Sequence, residues 1–393
     1  MSKNRRIWKT TGILLTFFLS GMMNTVLAPV IPLMKTRLNV SLVGLGLAAT
    51  IVSGARLIAV IPAGIIADNR SRANVLRLGT TAILLGAAII GFVPYGITFY
   101  LCMILFGIGH AFMDGAANGM MIDLYPEKPG GVLNLLHMSF GAGGMIGPLV
   151  YGLLIQKYDN WKFPFLFIAF VGIFVLAVIM ILKFDQIHTV KNKSAAVRKR
   201  GIDGIIIYLC FMMLIMVGST NAFKTWINTF MEYKFAVTSL VASSVLAFSN
   251  GGVMLGRFIC SIISEKAGYD RILIIGMCGT CVAGFITLFA RNPIVSMVAF
   301  IFAGMFMSPF FPITIALAGK MYPNKKGMLA GLFTAFASSG SMLFPVFCGY
   351  VADITSDIKK GLLILPLVPI IPISIFLVWA RKHLSGKNNV EAM

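Results

Sequence analysis

Twelve apolar runs, each long enough to cross a bilayer and separated by short polar breaks, leave this chain very few folds. They lie near residues 10–34, 42–67, 75–93, 98–124, 132–155, 163–182, 202–231, 238–263, 272–290, 294–321, 328–351 and 362–380. A tilted helix of about 20 residues spans a hydrocarbon core of roughly 30 Å. In lipid each backbone N–H and C=O must find its partner inside the protein, which a helix provides by itself. An all-α membrane protein of twelve transmembrane helices is therefore expected, with the lipid bilayer as its partner. The chain is 58% apolar and only 12% charged, so no soluble domain is hidden in it. Its longest polar stretch, near residues 183–201, is too short to bury a core. The first apolar run lacks a small-residue cleavage site and reads as a retained span.

A net charge of +20 would suggest nucleic acid in a soluble protein. Here the basic residues lie between spans and at the ends, so they report topology and no nucleic-acid partner is expected. With the amino terminus inside, 22 Lys and Arg fall in cytoplasmic segments, 8 in outer loops and 3 within spans. That asymmetry obeys the positive-inside rule and places both termini in the cytoplasm of a plasma-membrane protein. Cys278-x-x-Cys281 lacks a second pair or His partners, so it reads as helix filling, and no metal is expected. No Gly-rich phosphate loop with its Lys is present, and an enzyme is not expected.

The halves repeat at a fixed offset of 197 residues: Gly21/Gly218, Asn24/Asn221, Asp68/Glu265, Gly79/Gly276, Gly107/Gly304, Gly143/Gly340, Pro148/Pro345 and Gly152/Gly349. Such coincidences without a gap point to duplication of a six-span unit, the parallel repeat of transporters. Two pseudo-symmetric six-helix bundles follow, residues 1–182 and 202–393, joined by a basic cytoplasmic linker over 183–201.

Asp114 is the only acid deep in an apolar run. At about 1.5 Å per residue it sits roughly 15 Å from the end of its span, near the bilayer midplane. Helical spacing puts Gly107, His110, Asp114, Asn118 and Met121 on one stripe. An intramembrane acid marks a functional site, here a proton-coupling group, with a static pair to Lys224 as the alternative. Arg56, mid-span in the second run, needs an anion: Asp114, a distant carboxylate, or the substrate itself. Asn221, Lys224, Thr225 and Asn228 lie at helical spacing with Trp226 close by. With Asn24 and Asn250 they form a candidate ring for a sugar, whose hydroxyl edges and apolar face suit amides, charge and an aromatic. Asn and Thr also join helices to one another in membranes.

The connection Gly64-Ile-Ile-Ala-Asp68-Asn-Arg70-Ser-Arg72 resembles the signature loop of the major facilitator superfamily, although Ser71 and Ala73 replace its usual Gly and basic residue. The resemblance covers the whole chain. It implies that Gly64 lets helices approach closely and that Asp68 and Arg72 hold the cytoplasmic ends together, with Asp123 as partner of the basic members. Glu265 and Arg271 are weaker counterparts in the second half, with Lys320 in the place of Asp123. The bland alternative is that these charges solvate a loop.

Asp114-x-x-x-Asn118 followed by Leu133-Asn134-Leu135-Leu136-His137-Met-Ser-Phe140-Gly-Ala-Gly143 resembles the fourth and fifth spans of the fucose:proton symporter branch. That resemblance implies an acid at Asp114 that carries the coupled proton and a sugar contact at His137, which also has the chemistry to share the proton. Gly143-x-x-x-Gly147-Pro148-x-x-x-Gly152 half matches the kinked fifth span of drug:proton antiporters, with Tyr151 in place of a glycine. The expectation is a monomeric secondary transporter with no cofactor beyond the coupling proton, taking up a sugar or sugar derivative. Proton-driven efflux of an amphiphilic compound is the alternative, and a sensor or scaffold without transport a third reading.

Overall fold

The structure, a computed structural model, describes residues 3–69, 71–127, 129–182, 184, 204–322 and 326–380. Among them there is no strand, and twelve helical spans are long and apolar enough to cross a membrane. In chain order these are α1 (Lys3–Asn24, resumed as Leu27–Leu38), α2 (Leu42–Asn69), α3 (Arg72–Phe92), α4 (Ile97–Leu124), α5 (Pro129–Tyr158) and α6 (Phe163–Ile181). The second six are α7 (Gly204–Phe235), α8 (Ser239–Ala267), α9 (Tyr269–Phe289), α10 (Pro293–Met307, resumed as Phe310–Met321), α11 (Lys326–Thr355) and α12, which starts at Ile358 and runs in short pieces to Ala380. Apart from Phe184, the linker expected over 183–201 lies outside the described residues.

The 197-residue repeat is present in the backbone. Residues 72–92 and 269–289 form α3 and α9, and residues 129–158 and 326–355 form α5 and α11, so both ends of each pair keep the offset. Among the described residues, the non-glycine positions with positive φ pair in the same way: Asn39 (51°) with Ala236 (51°), and Asp159 (48°) with Ser356 (51°). Each follows a span and turns the chain out of its helix, the use of a left-handed residue at a helix end. Ala236 and Ser356 take that conformation at a cost of about 1–2 kcal/mol, which the packing around the turn must offset.

Paired glycines set the crossings inside each half. A Cβ on Gly21 would collide with the Phe140 carbonyl, and one on Gly143 with the Phe18 carbonyl, so α1 and α5 cross backbone to backbone. Their repeat mates do the same: a Cβ on Gly340 would strike the Leu214 carbonyl, and one on Gly218 would stand 2.7 Å from the Gly340 backbone. In lipid, where apolar side chains gain nothing by leaving solvent, such close approach supplies the van der Waals attraction between helices.

Two compact units result. The first consists of Met1–Val40, Ala48–Lys193 and Val237–Ala247, and the second of Ser41–Leu47, Ser194–Ala236 and Phe248–Met393. In the second unit the Asp353 carboxylate, near the end of α11, accepts the N–H groups of Leu42 (3.1 Å) and Val43 (2.8 Å). These are otherwise orphaned donors at the start of α2, where the helix dipole also favours an anion. Nearby, the fully buried Trp226 donates its indole N–H to the Pro345 carbonyl at 3.0 Å.

Candidate functional site: an intramembrane ion pair

In the first unit α4 lies against α2 because its facing residues are small. A Cβ on Gly107 would collide with the Val52 carbonyl and stand 2.9 Å from the Arg56 nitrogen; one on Gly115 would stand 3.3 Å from the Gly64 nitrogen. Between these two close approaches the longer side chains meet. Arg56 donates a guanidinium N–H to the Asp114 carboxylate at 2.5 Å. One turn earlier on α4, His110 holds its Nε2 3.7 Å from the same carboxylate oxygen. The cluster is graded in exposure, with His110 2%, Asp114 18% and Arg56 39% exposed at the side chain. From α5, the Phe140 ring covers His110 at 5.8 Å between centroids. A carboxylate held by one cation, over a buried imidazole, is a group that can change protonation without leaving the membrane interior.

Asp114 thus pairs with Arg56, one of the anions considered for that guanidinium from sequence. Asn118, one turn beyond Asp114, donates to the Asp114 backbone carbonyl at 2.8 Å. His137 is exposed on α5, with the Phe17 ring edge-on at 5.9 Å. Asn24 is exposed at the break in α1.

In the second unit the stripe on α7 divides among several neighbours. Asn221 donates to the Ser341 hydroxyl of α11 at 2.6 Å, and Lys224 donates to the Asn250 side-chain carbonyl of α8 at 2.8 Å. Trp226 and Asn228 have no exposed surface. Trp226 therefore offers no open aromatic face for a sugar here, a correction to the sequence expectation: its indole N–H is committed to Pro345. Its ring also fills the space where a Cβ on Gly46 (3.2 Å) or Gly349 (3.1 Å) would point. A small cavity of about 20 Å³ in this unit, which sequence reading missed, is lined by Ser219, Thr220, Ser249 and Thr280 among Met, Phe and Pro side chains. Four scattered hydroxyls in apolar runs give no periodic signal that would have marked it.

At the start of α3, Arg72 pairs with Asp123 of α4, with both side chains largely buried (15% and 8% exposed). Gly119 makes room for it, since a Cβ there would stand 2.7 Å from the guanidinium carbon. Gly64 differs from expectation: a Cβ on it would meet nothing within 4 Å, and Gly115 on the facing helix is the residue whose smallness admits the approach. Arg271 is exposed, and the side chains of Asp68, Glu265 and Lys320 lie outside those described.

The family model described as Major Facilitator Superfamily matches this sequence twice, over residues 13–232 and 209–392, once for each half. The chain belongs to the Major Facilitator Superfamily. It is accordingly a multi-pass membrane transporter of small molecules and not an enzyme. It is similar to Multidrug resistance protein 2 of Bacillus subtilis (strain 168), 21% identical with all of each chain covered. It is also similar to Sodium-dependent glucose transporter 1A of Mus musculus, 21% identical over 79% of this chain and 80% of the other. Among solved structures, a bacterial homolog to the human lysosomal transporter Spinster, inward-facing and occupied, shares the superfamily fold. Its TM-score is 0.83 at 15% identity, covering 97% of this chain and 98% of that one.

Proposed function

We propose that this transporter carries a sugar or sugar derivative into the cell together with a proton, by alternating access, as a plasma-membrane monomer with both termini in the cytoplasm. The observation that carries this reading is the Arg56–Asp114 pair inside the membrane span, backed by the buried His110. A carboxylate is stable at that depth only when paired or protonated, so its two states can be tied to two states of the carrier. In the first unit Asn24, Asn118 and His137 supply hydrogen-bonding groups for a hydroxylated solute. The similarity to a glucose transporter supports the solute class, and the excess of Lys and Arg in alternate connections supports the orientation.

In proteoliposomes with a pH-sensitive dye outside, a transported sugar is expected to alkalinise the external medium on addition. A panel of sugars, sugar acids and amino sugars that moves without any proton signal would overturn the coupling.

Efflux of an amphiphilic compound is the second reading. It is favoured by the similarity to Multidrug resistance protein 2 over the whole chain and by the Phe-, Met- and Pro-lined pocket of the second unit. It predicts that amphiphilic cations, and no sugars, raise the melting temperature of the purified protein.

A further inference from the structure

We infer that the solute carries a carboxylate, which takes Arg56 over from Asp114 when Asp114 is protonated. The inference rests on the proton-coupled reading above and names the substrate class of that same site.

A guanidinium has five N–H donors in a planar fork. Arg56 uses one of them, to a single oxygen of Asp114. The side chain is 39% exposed and makes no other hydrogen bond or ion pair among the described residues, so donors of the fork remain uncommitted in the middle of a span. Planar forks of this kind match carboxylates in paired, parallel hydrogen bonds, a geometry that no sugar hydroxyl reproduces.

Charge balance adds a second argument. The Arg56–Asp114 pair sums to zero, and a proton placed on Asp114 leaves an uncompensated guanidinium inside the membrane, which is costly. An arriving carboxylate restores neutrality. Proton and anion therefore favour each other's binding, and the coupling is reciprocal. A neutral sugar compensates nothing, so it leaves the protonated carrier with its unpaired charge. The titratable or charged groups facing Asp114 are Arg56 from α2, His110 from its own helix and His137 from α5. His110 is buried and His137 exposed; an imidazole is neutral or cationic, so neither stands in for Asp114 as the anion on Arg56.

The test is binding calorimetry on the purified full-length protein between pH 5.5 and 7.5, with glucuronate and gluconate as probes and glucuronamide and glucose as neutral controls. The acids are expected to bind with uptake of about one proton, read from buffers of different ionisation enthalpy. Their affinity should fall by up to about tenfold per pH unit where Asp114 titrates. Asp114→Asn, which mimics the protonated acid, should bind the acids with pH-independent affinity at or above the best wild-type value. Arg56→Gln should lose the acids. Arg56→Lys, which keeps the charge without the fork, should bind them more weakly while retaining pH dependence. Size-exclusion profiles and melting curves of each variant separate a lost site from a lost fold, and Asp114→Asn, expected to gain affinity, cannot mimic misfolding. Equal, proton-linked binding of glucuronamide and glucose would overturn the anion while leaving the proton-coupled sugar reading intact. Binding of any probe without proton uptake, unchanged in Asp114→Asn, would overturn both. No binding of either acid at any pH also overturns the inference.

Discussion

Trp226 donates its indole N–H to the carbonyl of Pro345 at 3.0 Å, joining α7 to α11 inside the second unit with the ring wholly buried. Its role is to hold two helices together. Trp226→Phe keeps most of the ring and loses the bond, at a cost of about 1 kcal/mol. Trp226→Ala opens a cavity and costs about 3–5 kcal/mol. Both are expected to lower the melting temperature in that order while leaving the rank order of solutes unchanged in competition assays. A changed solute preference in a well-folded Trp226→Phe protein would return the ring to the binding site.

Gly64 and Gly107 make opposite predictions, although from sequence it was Gly64 that was expected to sit at a close helix approach. Gly64→Ala meets open space and gains helix propensity of up to about 1 kcal/mol, so the variant should melt at or above the wild-type temperature. Gly107→Ala drives a methyl into the Val52 carbonyl and against the Arg56 backbone. It should destabilise by about 1–3 kcal/mol and weaken proton-coupled accumulation by moving Asp114 away from Arg56. Thermal melts and uptake on the two variants side by side check the contrast.

Arg72 and Asp123 should behave as a unit. Each is largely buried, so removing one takes from the other a close, poorly solvated counter-charge, whereas removing both takes away the two charges together. The double-mutant cycle of Arg72→Gln and Asp123→Asn is expected to show a coupling of about 1–3 kcal/mol in the unfolding free energy. A coupling near zero would mean that the pair is a solvated surface contact.

The twelve spans and the 197-residue repeat were legible because each rests on local information: run length or offset. Gly21 and Gly218 recur in the sequence and at matching helix crossings, whereas the matching left-handed turns at Asn39 and Ala236 carry different residues and show only in the backbone. Partnerships were less legible. Asp114 meets Arg56 across 58 positions of sequence, and helical spacing within α4 carries no information about which basic residue α2 or α7 brings near. On α7 spacing likewise shows which residues share a face and not what each one meets: Asn221 turns to Ser341, Lys224 to Asn250 and Trp226 to Pro345. The space beside Gly64 and the demand for a small residue at Gly115 depend on how α2 and α4 are rotated about their axes, which no single-helix pattern fixes.

Accumulation and counterflow in proteoliposomes containing Asp114→Asn test the central claim most directly. Accumulation requires Asp114 to release its proton inside, whereas counterflow requires only that the loaded carrier exchange solute across the membrane. The account predicts that the variant fails to accumulate solute under an inward proton gradient yet keeps counterflow within a few-fold of the wild type. Accumulation at the wild-type level in Asp114→Asn would contradict it.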